Sequence, residues 1–447
     1  MERLFGTDGI RGVANADLSC ELALKIARAA AQVLMKKTTK KPKVIIGADT
    51  RASGDMLCSA MASGFASAGA DVVLLGVVPT PAVSYLAKLY KADIGVVISA
   101  SHNPAKYNGI KLFNGQGYKL ADEIEDEIEN LIFNGQANVH ETPGYIIQKS
   151  DATQDYVEYL LKSENATNLD GLKVVIDCAN GASSNTANYL FNELGANVEI
   201  INNEPNGLNI NKGCGSTHID EISKAVIEYK ADIGISFDGD ADRCLAVDQN
   251  GEIIDGDRII AALAIDMKSR GKLKKNTVVV TTLSNMGFTK TMRDNGIEVL
   301  ATRVGDRYVL EEMKKEGLSL GGEQSGHVIL LDINTTGDGQ LTALSILSLL
   351  KRNNKKASYI TDLVKSFPQI QSNISADNEQ KSFLAEDIIF NGEVSKAASE
   401  LGENGRVLVR PSGTEPLVRI MVEGIDLIIV ERIAGHLTNI ANKRIQS

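Results

Sequence analysis

The stretch Ala92-Asp-Ile-Gly-Val-Val-Ile-Ser-Ala-Ser-His-Asn-Pro104 joins a short apolar run to a loop of small and polar residues. The run is rich in β-branched residues and ends at turn-forming residues, which predicts a buried strand ending near Ser99. In a doubly wound α/β sheet, loops at the carboxyl ends of strands build the ligand site. Ser101 is therefore a candidate nucleophile or phosphate carrier, with His102 and Lys111 nearby in the sequence. The alternative is a Ser/Asn/Pro turn that only ends the strand.

The pattern around this strand occurs three times along the chain. In the first copy, the strand before Ser99 is preceded by a strand at 43–51, a helix through Phe65 and a strand at 71–76. The second copy ends at Ala231-Asp-Ile-Gly-Ile-Ser-Phe237, which nearly repeats the first, and a third, weaker copy runs from 276 to 327. The matched order of three element types predicts three copies of one α/β module.

After the polar run at 351–356 the pattern changes to strand, loop and strand over 405–423. The predicted fold class is therefore α/β, with three similar mixed α/β domains and a smaller C-terminal α+β domain around a central cleft. The expected boundaries are 1–150, 151–253, 254–366 and 367–447. The polar run at 351–356 is the expected hinge of the last domain.

Composition narrows the class of protein. The chain has 447 residues, a net charge of −10 and 43% hydrophobic residues, which is typical of a globular protein of several domains. It has no basic block, so we expect no nucleic-acid partner. It also has no apolar run near the roughly 18 residues of a membrane span, and its start does not resemble a signal peptide. Five scattered cysteines without a CxxC pair favour a reducing cytoplasm.

The loop that ends the second copy carries three alternating carboxylates, Asp238, Asp240 and Asp242. Carboxylates this close repel one another unless a cation neutralises them, and oxygen ligands suit Mg²⁺. An EF-hand is excluded because Arg243 and Gln249 stand where that loop needs Gly and Glu. The alternative is an Asp-Gly turn with solvated acids.

The loop that ends the third copy carries Glu323, Ser325 and His327 between glycines that admit a ligand. Glu323 and Ser325 can bind sugar hydroxyls, and His327 could move protons near neutral pH. The alternative for His327 is a hydrogen-bonded histidine at a strand end. The two arginines at 303–308 are expected to be surface charges.

Two further loops suit anions. Arg410-Pro-Ser-Gly-Thr414 with Arg419 offers two guanidinium groups, two hydroxyls and an open backbone to one phosphate, where a simple hairpin turn would explain only Pro and Gly. The Gly-rich segment at 5–12 carries Arg11, and its alternative is a flexible turn. If the modules surround one cleft, these loops meet there.

Four motifs in this order resemble the α-D-phosphohexomutase family over essentially the whole chain. They are Ser-Ala-Ser-His-Asn-Pro at 99–104, Asp-Gly-Asp-Ala-Asp-Arg at 238–243, Gly-Glu-Gln-Ser-Gly-His at 322–327 and Arg-Pro-Ser-Gly-Thr-Glu-Pro at 410–416. The segments at 6–11 and 209–218, together with Gln324, resemble the glucosamine branch of that family. The chain departs from the family at Ala241, where relatives usually have Gly, and at Asn206, where they often have Asp.

The resemblance implies a role for each candidate residue. Ser101 is the serine that carries phosphate, and one Mg²⁺ is held by Asp238, Asp240, Asp242 and a phosphate oxygen on Ser101. Glu323 and Ser325 contact sugar hydroxyls. The non-reacting phosphate is bound by Arg410, Ser412, Gly413, Thr414 and Arg419. The reacting site is lined by Arg11, His102, Lys111, Arg243 and His327, and which of them takes the proton stays open.

The resemblance also implies the reaction. Phosphorylated Ser101 would interconvert glucosamine 6-phosphate and glucosamine 1-phosphate through glucosamine 1,6-bisphosphate, which also serves as activator, and so supply bacterial amino-sugar and peptidoglycan precursors. The expected partner is a small hexosamine phosphate, and a homodimer is the open alternative to a monomer. Other candidate functions are the same chemistry on glucose or mannose phosphates, a phosphatase, or a non-catalytic phosphosugar-binding protein.

Overall fold

The computed structural model describes residues 3–6, 8–35, 41–135, 139–412 and 416–446. They fall into two units, Met1–Leu283 with Asn295–Leu363 and Ser284–Asp294 with Val364–Ser447. Three of the four sheets belong to the first unit and one to the second. The boundaries expected at 150, 253 and 366 stay predictions, because the first unit holds its three sheets without a division.

The first sheet has six strands in the order β1-β5-β4-β2-β3-β6. Its strands are β1 (Ile10–Val13), β2 (Lys43–Ala48), β3 (Asp71–Val77), β4 (Ile94–Ile98), β5 (Tyr107–Asn114) and β6 (Ile146–Gln148). Its helices are α1 (Cys20–Met35), α2 (Gly54–Ser67), α3 (Thr80–Leu89) and α4 (Asp122–Asn134). All five residues of β4 are buried, which explains why the run at 94–98 is apolar throughout.

The second sheet has five strands in the order β11-β10-β9-β7-β8. They are β7 (Lys173–Asp177), β8 (Asn197–Ile201), β9 (Ile233–Phe237), β10 (Cys244–Asp248) and β11 (Ile253–Ile254), with helices α5 (Ala152–Leu161), α6 (Ala187–Glu193) and α7 (Ile219–Tyr229). The third sheet has the order β13-β12-β14-β15. Its strands are β12 (Thr277–Thr281), β13 (Glu298–Thr302), β14 (Leu320–Gly322) and β15 (Val328–Leu330).

The helices that follow β11 divide between the two units. The first unit contains α8 (Gly256–Ser269), α10 (Asp306–Glu316), α11 (Gly339–Asn353) and α12 (Ser358–Leu363), whereas α9 (Met286–Asp294) belongs to the second. The polar run at 351–356 is not the expected hinge between units. Residues 351–353 complete α11, Asn354 ends that helix in a left-handed conformation, and the first unit continues to Leu363.

The three-copy prediction is confirmed strand by strand. In each copy a central strand pairs in parallel with two neighbours, as β2 does with β3 and β4, β7 with β8 and β9, and β12 with β13 and β14. The module also has a fourth strand, which pairs antiparallel with the third: β5 with β4, β10 with β9, and β15 with β14.

The second unit is built on a three-stranded antiparallel sheet in the order β16-β18-β17. Its strands are β16 (Gln369–Ser375), β17 (Gly405–Pro411) and β18 (Leu417–Gly424), and its further helices are α13 (Asn378–Glu386), α14 (Ile388–Leu401) and α15 (Leu427–Gln446). Apolar residues of this sheet and these helices share one core. Across the described ranges, none of the helices has both the length and the apolar character that crossing a bilayer requires.

Candidate active site

The three polar loops occupy the same position in their modules. Residues 99–106 join β4 to β5, residues 238–243 join β9 to β10, and residues 323–327 join β14 to β15. Each loop therefore turns the chain from the third, parallel strand into the antiparallel fourth. Within the first unit the loops come into direct contact, as the sequence predicted.

Ser101 lies at the junction of the first two loops. It is 1% exposed, and its Oγ donates a hydrogen bond of 2.6 Å to Asp238 Oδ2, a residue 137 positions later in the chain. The same Oγ lies 3.3 Å from His102 Nδ1. Ser101 has a φ of +52°, in the left-handed region that a side chain disfavours. The loop therefore does not only end a strand, since it also holds the Ser101 hydroxyl against Asp238.

The three aspartates of the second loop form a buried oxygen cluster. One carboxylate oxygen from each of Asp238, Asp240 and Asp242 lies within 4.8 Å of the others. Burial, together with Asp242 and Asp240, raises the pKa of Asp238 well above its ordinary value. Asp240 Oδ1 and Asp242 Oδ1 are buried and accept no hydrogen bond from any residue that the structure describes. Oxygen atoms left in this state fit a hard cation such as Mg²⁺.

Ala241 in this loop stands where the resemblance implies a Gly. Its φ is +55° and it is fully buried. The left-handed backbone gives the physical reason for a glycine there, and the chain adopts the same turn with an alanine.

Lys111 supplies a buried positive charge beside the cluster. Its Nζ lies 2.9 Å from Asp240 Oδ2, 3.0 Å from Asp8 Oδ2 and 3.6 Å from Asp242 Oδ2. Burial opposes this charge, but attraction to Asp240, Asp8 and Asp242 outweighs it and raises the pKa of Lys111 well above its ordinary value. Lys111 therefore stays charged and acts by electrostatics rather than as a base.

Asp8 and Lys119 belong to the site although sequence reasoning missed them. Asp8 pairs with Arg11 and Lys111, and Lys119 Nζ bridges Asp8 and Asp306, lying 2.6 Å from Asp306 Oδ2. Burial would raise the pKa of Asp8, but these cations hold it well below its ordinary value. The sequence could have indicated Asp8, because it lies in the same Gly-rich segment as Arg11. No sequence pattern indicates Lys119.

His102 is neutral at physiological pH in this setting. Burial, and then the positive charges of Arg243 and Arg11, lower the pKa of His102 to about 4. Arg243 approaches the cluster from the same side, with its Nε 4.0 Å from Asp242 Oδ1. The Ser101 hydroxyl thus has a neutral imidazole beside it, and that imidazole lies within electrostatic reach of two guanidinium groups.

The third loop presents a carboxylate and a hydroxyl side by side. Ser325 Oγ lies 3.4 Å from Glu323 Oε2, and the Gly305 amide donates to Glu323 Oε1 at 3.2 Å. Gly326 has a φ of +91°, and a side chain there would collide with the carbonyl of Cys244. The glycine therefore lets the third loop pack directly on the strand that follows the aspartate cluster.

His327 is buried between two carboxylates. Its Nδ1 lies 3.6 Å from Asp242 Oδ2 and its Nε2 lies 3.6 Å from Asp306 Oδ2. Burial disfavours its charge, but Asp242 and Asp306 raise the pKa of His327 to about 9. The Gly337 amide opposes this effect, because it donates to Nε2 at 3.1 Å and so favours a neutral ring with its proton on Nδ1. His327 therefore connects Asp242 of the second loop to Asp306, a contact that a histidine serving only to end a strand would not make.

The expectation for the arginines at 303–308 was right for one and wrong for the other. Arg303 is exposed and stacks on Tyr308, with 3.6 Å from Cζ to the ring centre. The Arg307 side chain is only 12% exposed and pairs with Asp122 and Glu125 of α4. It therefore ties the third module to the first.

The second unit contains the described residues of the predicted anion site, Arg410, Ser412 and Arg419. Arg410 and Arg419 are directly opposite one another in the β17–β18 pair. Burial, and then the charge of Arg419, lower the pKa of Arg410. Like charges opposed across strands destabilise a sheet unless an anion lies between them. Ser412 directly follows β17, and its amide donates a hydrogen bond to the Leu417 carbonyl, whereas Gly413 and Thr414 lie outside the described residues.

Comparison with known proteins identifies the family. Four consecutive models of phosphoglucomutase/phosphomannomutase match the chain: alpha/beta/alpha domain I at residues 2–139, domain II at 154–251, domain III at 255–367 and the C-terminal domain at 351–439. The chain belongs to the phosphoglucomutase/phosphomannomutase family.

Members of this family resemble the chain along its whole length. The phosphoglucosamine mutase of Clostridium acetobutylicum is 50% identical over 448 residues, covering 99% of this chain and 100% of that protein. A phosphoglucomutase/phosphomannomutase family protein of Burkholderia thailandensis superposes with a TM-score of 0.84 at 26% identity, covering 100% of this chain and 98% of that one. The Aspergillus fumigatus N-acetylphosphoglucosamine mutase, solved in complex with GlcNAc-6P and magnesium, has the same fold, with a TM-score of 0.68 at 16% identity over 99% of this chain and 96% of that one.

Membership of the phosphoglucomutase/phosphomannomutase family agrees with the predicted fold of three similar domains and a smaller fourth. The structure brings together the candidate residues of the first unit, which are Arg11, Ser101, His102, Lys111, Asp238, Asp240, Asp242, Arg243, Glu323, Ser325 and His327. Arg410, Ser412 and Arg419 form a separate group in the second unit.

Proposed function

We propose that this chain interconverts glucosamine 6-phosphate and glucosamine 1-phosphate through a phosphate carried on Ser101. The observation that carries the proposal is the 2.6 Å contact between Ser101 Oγ and Asp238 in a buried cluster of three carboxylates. A site that only bound phosphosugars would need neither a buried hydroxyl nor that cluster. The specific substrate is supported by the name and the 50% identity of the Clostridium acetobutylicum relative.

Asp238, Asp240 and Asp242 would hold one Mg²⁺, together with an oxygen of the phosphate on Ser101. All the donors are oxygens, two of them have no other partner among the described residues, and the Aspergillus fumigatus neighbour binds magnesium. When bound, the ion would neutralise charge on the transferring phosphoryl group.

In the forward half-reaction, the P–O bond to Ser101 Oγ breaks as a new P–O bond forms to the sugar O1 hydroxyl. The hydroxyl proton passes to His102, which is neutral at physiological pH and lies 3.3 Å from Ser101 Oγ, and His102 returns a proton to Ser101 Oγ as that oxygen leaves. The product is glucosamine 1,6-bisphosphate. Lys111, Arg11 and Arg243 keep the site positive around the phosphoryl oxygens, because phosphoryl transfer depends mainly on positioning and charge neutralisation.

The return half-reaction requires the sugar to bind in its second orientation. The P–O bond to the sugar O6 then breaks as a P–O bond forms to Ser101 Oγ, the serine proton passes through His102 to the leaving O6, and glucosamine 1-phosphate is released. Glu323 and Ser325 would bind the sugar hydroxyls in either orientation, as an adjacent acceptor and donor. Arg410, Ser412 and Arg419, with Gly413 and Thr414, would bind the phosphate that does not react.

The nearest alternative is the same reaction on glucose or mannose phosphates, since the family models include both. The decisive experiment compares turnover of glucosamine 6-phosphate, glucose 6-phosphate and mannose 6-phosphate by the full chain, with Mg²⁺ and then with excess chelator. We expect glucosamine 6-phosphate to be preferred and the chelator to stop turnover. Preference for another sugar would refute the substrate assignment. Release of inorganic phosphate without isomerisation would instead identify a phosphatase.

A cytoplasmic location and a homodimer remain parts of this proposal. The location is supported by the five cysteines, all of which are free thiols. Burial raises the pKa of Cys178 to about 12, so this thiol is unreactive at physiological pH.

A further inference from the structure

Arg51 donates four of its five side-chain hydrogen bonds to the backbone that carries Ser101. The guanidinium group has no exposed surface, and its Nε donates to Asp49 Oδ2 at 2.9 Å. The remaining donors bond to three backbone carbonyls of the loop, those of Pro104 (2.6 Å), Ser101 (2.9 Å) and Asn103 (2.8 Å), and to the carbonyl of Tyr107 (3.0 Å), the first residue of β5. Because the guanidinium group is planar and rigid, these hydrogen bonds fix the positions of the four carbonyls relative to one another.

Asp49 fixes the backbone amide of Ser101 through the Ser99 hydroxyl. It accepts the Arg51 amide at 3.0 Å and the Ser99 hydroxyl at 2.6 Å. The Ser99 hydroxyl in turn accepts the Ser101 amide at 2.9 Å. Both backbone polar groups of Ser101 are therefore fixed through the Asp49–Arg51 pair.

A second donor to the same carbonyl comes from another module. Asn211 Nδ2 donates to the Ser101 carbonyl at 2.9 Å and to the Asn103 carbonyl at 3.2 Å. Asn211 is itself fixed by its amide, which bonds to the Ala179 carbonyl at 2.9 Å. Gly239 of the aspartate loop packs so closely that a side chain there would come within 2.6 Å of the Ser101 carbonyl.

We propose that Arg51 and Asn211 are positioning residues that hold the Ser101 carbonyl and thereby aim the Ser101 hydroxyl at Asp238. Ser101 has a left-handed φ of +52°, which a serine adopts only when its surroundings impose it. Arg51 and Asn211 supply those surroundings from two modules, so the loop has one orientation relative to the aspartate cluster. Neither residue touches the reacting atoms. The proposal rests on the proposed function, because it concerns the group that carries the phosphate.

The test compares Arg51→Ala, Arg51→Lys and Asn211→Ala with the wild-type chain in the mutase assay. A small misplacement of a reacting group costs about 100-fold in rate, so we expect kcat to fall by about that factor for both Arg51 variants. Lysine should not rescue, because one ammonium group cannot reach four carbonyls. Asn211→Ala should lower kcat about 10-fold, and KM should stay within about 3-fold in all three variants, because sugar contacts are untouched. Added guanidinium ion should restore part of the kcat of Arg51→Ala.

Asn165→Ala is the matched control for loss of a buried hydrogen bond. Asn165 is buried and donates to Ser345 Oγ at 2.9 Å, outside the candidate site. This control should lower the unfolding temperature without changing kcat. If Arg51→Ala fails to fold, Asn211→Ala and Arg51→Lys carry the test. An unchanged kcat in a folded Arg51 variant or in Asn211→Ala, or a loss that appears only in KM, would overturn the proposal.

Amide hydrogen exchange of residues 99–106 separates this proposal from the proposed function. Faster exchange in Asn211→Ala than in the wild type, with no change in the control, supports the positioning role whatever the wild-type chain catalyses. A wild-type chain with no mutase activity would refute the proposed function alone. Unchanged exchange in the variants, beside an active wild type, would refute the positioning role alone.

Discussion

Replacing Lys111 by methionine tests the electrostatic balance of the site. The Lys111 ammonium lies about 3 Å from the buried Asp240 carboxylate and from the partly exposed Asp8 carboxylate, and at an effective dielectric constant of about 20 each contact is worth roughly 5 kcal/mol before burial is counted. Burial offsets most of this attraction, and removal of one partner of a buried ion pair typically costs about 3–5 kcal/mol. We therefore expect Lys111→Met to destabilise the metal-free protein by about that amount, because Asp8 and Asp240 lose their shared cation.

The same substitution should strengthen binding of Mg²⁺. Asp240 and Asp242 keep their charges and lose a nearby competitor, so we expect Mg²⁺ to bind at least about 10-fold more tightly, equivalent to about 1.4 kcal/mol. Turnover should nevertheless fall, because a charge beside the transferring phosphoryl group is gone.

Thermal unfolding with excess chelator and with saturating Mg²⁺ measures both effects. Lys162→Met is the control, since Lys162 is 75% exposed and its pair with Glu158 is worth under about 1 kcal/mol. A Lys111→Met protein as stable as the wild type without metal, or one with weaker Mg²⁺ binding, would refute this account of the charges.

Three further predictions concern Ser101, the second unit and pH. Ser101→Ala should abolish mutase turnover while calorimetry still detects sugar-phosphate binding; retained turnover would exclude the phosphoserine route. Arg410→Met should raise KM for glucosamine 6-phosphate by about 10- to 100-fold, because a charge-assisted hydrogen bond is worth about 1.5–3 kcal/mol, whereas the exposed Lys396→Met should leave KM unchanged. Burial raises the pKa of Glu125 to about 7 against the opposing charges of Arg307 and Arg3, so the folded state holds this proton more tightly than the unfolded state. Stability from this group is complete below about pH 4.5 and lost as pH rises through 7. Glu125→Gln should therefore be more stable than the wild type by about 1–2 kcal/mol near pH 8 and no more stable near pH 4, and an equal difference at both pH values in urea unfolding would contradict this assignment.

The fold was largely predictable because its repeating unit leaves a strong local pattern. A strand buried on both faces must be apolar throughout, and β4 and β9 show this over five residues each. The antiparallel fourth strand of each module was not predicted, although β5 has eight residues and β10 has five. The pairing and register of these strands are fixed by the neighbouring strand rather than by their own sequence.

The candidate site was predictable where its residues are adjacent in sequence. The contact between Ser101 and Asp238 follows from the equivalence of two strand ends. The partners Asp8, Lys119 and Asp306 were not predicted, because their ion pairs join segments more than 100 residues apart. Charge pairing at that separation leaves no periodic signal in a single sequence.

The chain passes between the two units three times, at Leu283, Asp294 and Leu363, and this determines how fragments can be cut. A truncation after Leu363 would remove Glu423 and Phe367, the hydrogen-bond partners of Met286 and Asn285 at the start of α9. The retained helix would then lose the contacts that hold its first turn. A fragment that behaves well in solution must therefore also delete 284–294, or keep that helix and the C-terminal segment together.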